Sequence, residues 1–216
     1  MSAHNTSELE VAHQFEDFEQ QTESYTVGMW IFLATEILFF GGLFAAYIVY
    51  KNRYPEAFLA AHEELDVVMG GINTMLLLTS SLTMALAVRC SMLNLWKAQM
   101  RWLFVTILFA LGFMVVKYFE YSSKYEHHLI PGANFEFHGA YDRGAEIFFS
   151  LYFSMTGLHG IHVLIGIIAI STLMVRTYLM RKRTQDFIPV ELTGLYWHFV
   201  DIVWIFLYPI LYLIGR

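Results

Sequence analysis

Five stretches of this chain are each apolar enough, over about 20 residues, to cross a bilayer. They run approximately over 28–50, 67–88, 102–118, 147–175 and 196–214. Nothing else in the sequence restricts the fold as strongly. In hydrocarbon every backbone amide must be paired inside its own segment or around a closed barrel, so blocks of this length read as helices. The fourth block exceeds the thickness of a bilayer, which predicts tilt or extension past it. Composition agrees: 57% of the 216 residues are hydrophobic and 15% are charged, where a soluble domain carries about a quarter charged. The expected fold class is an all-α integral membrane protein, a five-transmembrane-helix bundle over residues 28–216, preceded by a polar acidic arm over 1–27.

The arm holds Glu8, Glu10, Glu16, Asp17, Glu19 and Glu23 and no Lys or Arg. It reads as a short amphipathic or disordered arm and not as a signal peptide. In the first connection, KNRYPEAFLAAHEELD, Pro55 breaks any continuous helix. The third connection, SSKYEHHLIPGANFEFHGAYDRGAE, holds Pro131, Gly132 and Gly139, which mark a structured loop. Orientation follows from basic residues. Arg89, Lys97 and Arg101 in the second connection, and Arg176, Arg181, Lys182 and Arg183 in the fourth, place both on the cytoplasmic side. The N-terminus is then inside and the C-terminus outside. A net charge of −6 without a basic patch argues against nucleic-acid binding. Cys90 is the single cysteine, so neither an internal disulfide nor a thiolate metal cluster can form.

Ionisable groups inside the apolar blocks point to function, because a charge in hydrocarbon costs several kcal/mol unless paired or neutralised. Glu36 lies eight residues into the first block, roughly 12 Å below its cytoplasmic end. In TGLHGIHVLIG, His159 and His162 share nearly one face of the fourth helix. His162 sits at about the depth of Glu36. His198 and Asp201 fall in the first two turns of the last helix. These residues gather in one half of the bundle, whereas Lys117 and Glu120 lie near the outer end of the third helix. Several readings stay open. His198 and Asp201 would bond each other at an interface. His159 and His162, flanked by Gly157 and Gly160, would make a close helix contact with their imidazoles bonded across it. They would otherwise ligate a haem or a metal. Glu36 has no inexpensive structural role at that depth, which favours a functional or lipid-binding one. The expectation is that none of His159, His162 and His198 coordinates metal or haem, and that Glu36 reaches His162 directly or through one water or lipid head group.

These residues carry a resemblance. YWHFVDIVWIFLYPILYLIG is similar to the most characteristic stretch of subunit III of haem–copper terminal oxidases, with its histidine and aspartate at His198 and Asp201. WIFLATEILFFGGLFAAY resembles that family's helix with an intramembrane glutamate, here Glu36. The Asn-Thr of GGINTMLLLTSS, the pair Glu120–Tyr121 and TGLHGIHVLIG follow in the same order. The mitochondrial form has seven helices, and this chain resembles the bacterial five-helix form. The resemblance implies a non-catalytic subunit of an aerobic respiratory oxidase in the bacterial inner membrane. It would bind no haem or copper itself, pack against the subunit I that carries them, contact other oxidase subunits, support proton uptake and hold phospholipid. Glu36 and Arg176 match positions near lipid head groups. His159, His162, His198 and Asp201 join Glu36 as proton-exchanging or buried polar groups.

Quinol oxidase subunits III and nitric oxide reductase accessory proteins share this fold, and either is an alternative. A stand-alone proton-coupled carrier using Glu36 would show paired repeats and interrupted helices, which the sequence lacks. A cytochrome ligated by His159 and His198 is the third possibility.

Overall fold

The structure is a computed structural model describing residues 13–132, 135–137, 142–179 and 187–214. Among the described residues every regular element is helical. Five helices are long and apolar enough to cross a membrane: α1 (Phe18–Arg53), α3 (Val67–Met92), α4 (Trp96–Glu126), α5 (Asp142–Leu179) and α6 (Ile188–Tyr208), the last continued by a π-helical turn over Pro209–Leu213. A short helix, α2 (Pro55–Glu63), connects α1 to α3. Successive spans alternate in direction. The start of α1 therefore defines an arm side of the bundle, and α2 and the end of α6 a cap side.

Each spanning helix outruns its apolar block, because the flanking polar residues are caps and good helix formers. The Asp17 carboxylate accepts from the Gln20 amide at 2.7 Å, and this N-cap starts α1 well before the apolar block begins. Part of the acidic arm is thus helical, while residues 1–12 lie outside the described residues. The Asp66 carboxylate likewise caps α3, accepting from the Val68 and Met69 amides at 2.8 and 3.1 Å. Pro189 occupies the first turn of α6, where its missing N–H costs nothing. Pro209 lacks the N–H that the ladder needs, and the turn widens so that the Ile214 amide donates to the Pro209 carbonyl at 3.0 Å.

α3 and α4 form the most extensive pair, α6 packs on α3 and α5, and α1 lies across α5 and α6. In the most apolar window of α6, 56% of the residues are buried, against 17% in α1. α6 is therefore the central helix and α1 a peripheral one that anchors through the single stripe Leu33, Phe40 and Tyr47. Close approach of α5 to α6 depends on Gly166: a Cβ there would stand 2.5 Å from Trp197 Cζ3. The basic residues Arg181, Lys182 and Arg183 lie outside the described residues.

Candidate functional site

The bundle buries polar groups in two arrangements of opposite character. The first is closed. On the cap side, Lys117 Nζ donates to Glu120 Oε2 and to the Tyr212 hydroxyl, each at 2.9 Å, and reaches the Tyr152 hydroxyl at 3.4 Å. Tyr152 and Tyr212 donate in turn to Glu120 Oε1 at 2.8 and 2.5 Å. The ammonium also lies 4.9–5.6 Å from the ring centroids of Tyr121, Tyr152, Trp204 and Tyr212. All three ammonium donors and both phenolic protons have acceptors, and the two charges cancel. The cluster ties α4 to α5 and to the turn after α6.

A second device on this side caps the last helix. The π-helical end leaves carbonyls without intrahelical partners. His62 Nδ1 donates to the Leu211 carbonyl at 2.6 Å, which fixes Nε2 as an acceptor for the Tyr47 hydroxyl at 2.7 Å. The same hydroxyl lies 3.1 Å from the Ile210 carbonyl, and Lys51 Nζ reaches the Ile214 carbonyl at 3.4 Å. Lys124 donates to the Glu64 carbonyl and so holds α2 to α4. Burial pushes the His62 imidazole down to about 4, opposed by its bond to Leu211 and reinforced by Lys51. It is neutral at physiological pH.

The other arrangement is open. Glu36 Oε2 stands 3.5 Å from His162 Nε2, their side chains 19% and 11% exposed. This is the approach that their depth led us to expect. His162 Nδ1 lies 3.1 Å from the Tyr196 hydroxyl, which also donates to the His162 carbonyl at 3.1 Å. His159, one turn away, has no such contact. It is fully buried, and neither ring nitrogen has a hydrogen-bond partner among the described residues. Its ring is packed by Phe113 at 5.5 Å and by Trp204 at 5.2 Å. The expected bonding of both imidazoles across one helix contact therefore holds for His162 alone.

The seam between α3 and α6 is lined by polar groups: Trp204 Nε1 donates to Thr74 Oγ1 at 3.0 Å and Trp197 Nε1 to Ser80 Oγ at 3.1 Å. His198 Nδ1 is 2.8 Å from Ser81 Oγ. His198 thus pairs with Ser81 and not with Asp201, because α6 packs its histidine edge against the serine stretch of α3. Asp201 is 2% exposed, and neither carboxylate oxygen accepts a well-formed hydrogen bond among the described residues. Asn73, also fully buried, has neither amide atom bonded among the described residues.

Arg176 is exposed at the arm-side end of α5, immediately after a shallow groove of about 370 Å³ lined by Ile167, Ile168, Ser171, Thr172 and Val175. No group of three or more His, Cys, Asp or Glu able to hold a metal occurs among the described residues. A haem between His159 and His198 does not fit these surroundings: Phe113 and Trp204 already pack the His159 ring, and His198 Nδ1 is committed to Ser81. Sequence reasoning missed His62, Ser81 and Tyr196 and set Lys117 and Glu120 aside. The available signals were a histidine in the Pro55 connector and a Thr-Ser-Ser run within an apolar helix.

The chain is a five-span membrane bundle whose described residues gather no metal-binding group, and comparison with known proteins places it. The family profile for cytochrome c oxidase subunit III matches residues 9–216. The cytochrome c oxidase subunit 3 of Alkalihalophilus pseudofirmus is 33% identical over 88% of this chain and 86% of its own length. The quinol oxidase subunit 3 of Bacillus subtilis (strain 168) is 32% identical over 92% of both. A haem–copper oxidase subunit I+III of Aeropyrum pernix is 30% identical over 86% of this chain, which corresponds to 22% of that longer protein. The chain belongs to the cytochrome c oxidase subunit III family and is a subunit III of a haem–copper oxidase.

Proposed function

We propose that the chain packs on the catalytic subunit I of an aerobic respiratory haem–copper oxidase of the cytochrome c oxidase type, supports its proton uptake and binds phospholipid, without carrying redox groups itself. Haem and copper belong to subunit I on this reading. The protein sits in the bacterial inner membrane with its arm side cytoplasmic, by the bias of Lys and Arg toward that side. The Aeropyrum relative supports the choice of partner, since by its name it joins subunits I and III in one polypeptide.

The observation that carries the proton reading is the Glu36–His162 pair. A carboxyl and an imidazole 3.5 Å apart, both reachable from outside the bundle, can share one proton and remain neutral together. Tyr196 orients the imidazole through Nδ1. For lipid, the groove on α5 suits an acyl chain, and Arg176 at its end suits a phosphate.

The test is Glu36→Gln in the purified oxidase. The amide keeps a hydrogen bond but loses the exchangeable proton, so this reading expects the complex to assemble normally and to lose turnover progressively. Unchanged turnover and unchanged resistance to inactivation would reject a proton role for Glu36. Arg176→Ala should lower the phospholipid that co-purifies. A quinol donor is the second reading, favoured by the relatives named quinol oxidase subunit 3. Supplying reduced cytochrome c or quinol to the isolated complex separates the two.

A further inference from the structure

Resting on that reading of the chain as an oxidase subunit, we propose that the face where α3 and α6 meet, centred on His198 and Ser81, is where a transmembrane helix of the haem-bearing subunit docks, through a polar side chain that hydrogen-bonds to His198.

His198 lies ten residues past Ile188, roughly 15 Å along a segment that continues to Leu213. Ser81 lies fourteen residues past Val67, roughly 21 Å along α3 from the opposite side. Both therefore fall within the hydrocarbon layer, about 30 Å thick. His198 is nevertheless only partly buried by its own chain. Lipid tails offer no hydrogen bond, so an imidazole left facing them at this depth is costly.

The ring nitrogens give the chemistry of the partner. His198 Nδ1 is engaged by the Ser81 hydroxyl at 2.8 Å. Nε2 is the other hydrogen-bonding atom of the ring, a donor or an acceptor according to the tautomer. A polar side chain on a neighbouring helix completes it.

The surroundings suit a helix. Leu78 and Ala85 lie one turn to either side of Ser81, and Ile202 and Ile205 continue the face of His198. Leu78, Ile202 and Ile205 are 44%, 51% and 42% exposed. The small side chains of Ser81 and Ala85 allow close backbone approach, as in membrane helix pairs. Other exposed faces differ. That of α1, with Ile37, Leu38, Ile48 and Val49, is apolar and at home in lipid. Glu36 and His162 already face each other.

The experiment uses the intact oxidase with a benzophenone amino acid at Leu78 or Ile202, and at Leu108 and Ile168 on other faces. Irradiation should join positions 78 and 202 to the haem-bearing subunit. His198→Phe should lower the amount of this chain retained in the complex after detergent washing by about tenfold, and His198→Gln, which keeps a hydrogen-bonding group, should restore most of it. Capture of phospholipid or of a second copy at 78 and 202, with the haem-bearing subunit captured from 108 or 168, overturns this face while leaving the subunit reading intact. Capture of no oxidase subunit from any of the four positions overturns both. Should His198→Phe fail to accumulate, the crosslinks alone decide.

Discussion

The Lys117 cluster and the α3–α6 seam both bury ionisable groups in a membrane bundle, yet they differ in how fully they are satisfied. In the cluster each proton has an acceptor and each charge a counter-charge. In the seam and beside it, Asp201, Asn73 and His159 lack partners that the described residues could supply. Buried polar groups are nearly always bonded, so each exception asks for an explanation. A closed network gains nothing from water or a partner, and its work is to hold helices together. An open one is completed from outside, by water or by another subunit. The contrast separates structural polarity from functional polarity within one bundle.

The largest effect should come from breaking the closed cluster. Lys117→Met leaves Glu120 buried without its counter-charge, at a cost of about 3–5 kcal/mol. Thermal unfolding of the purified complex should show it, and the Lys117→Met/Glu120→Leu double variant should recover much of the loss. A single variant as stable as the parent would mean that the network contributes little.

His62 gives the next largest effect, through pH. Its imidazole is held down to about 4 in the fold and returns to its ordinary value near 6.5 when the cap unfolds. The unfolded chain thus binds a proton that the folded cap refuses. Stability is complete above pH 6.5, falls as the pH drops below it, and the contribution is lost as pH passes through 4. The difference is about 2 kcal/mol once screening near the membrane surface is allowed for. His62→Gln should flatten that slope. A slope unchanged by the substitution would assign it to other groups.

Smaller still is Glu36→Leu, which strands the His162 imidazole at a cost of about 1–2 kcal/mol, while Glu36→Gln should sit near zero. If the two variants unfold alike, the 3.5 Å approach is incidental. The smallest change belongs to the seam: Asp201→Asn should alter stability by less than about 1 kcal/mol, because the carboxylate it replaces has no well-formed bond to lose. A loss comparable to that of Lys117→Met would erase the distinction between the two regions.

Much of this fold was legible because a bilayer imposes its own rules. Block length identified five spans, and equal depth on antiparallel helices led from Glu36 to His162. What the sequence did not show depends on rotation about the helix axis and on helix ends. His198 and Asp201 are close in sequence, but α6 turns His198 toward Ser81, a partner that only the packing of α6 on α3 supplies. The helix α1 begins at Phe18 because Asp17 caps it, a polar signal hidden among other acids. The Lys117 cluster draws residues from three separate elements, so no single stretch displays it. His62 acquires its role because Pro209 widens the helix end and frees carbonyls that it can cap.

A structure of the assembled oxidase at a resolution that shows water tests the distinction most directly. The expected result is a polar group of the haem-bearing subunit within about 3.2 Å of His198 Nε2, water or a partner group on Asp201, and no water inside the Lys117–Glu120–Tyr152–Tyr212 cluster. Lipid alone over His198 and ordered water among the four residues of the cluster would contradict it.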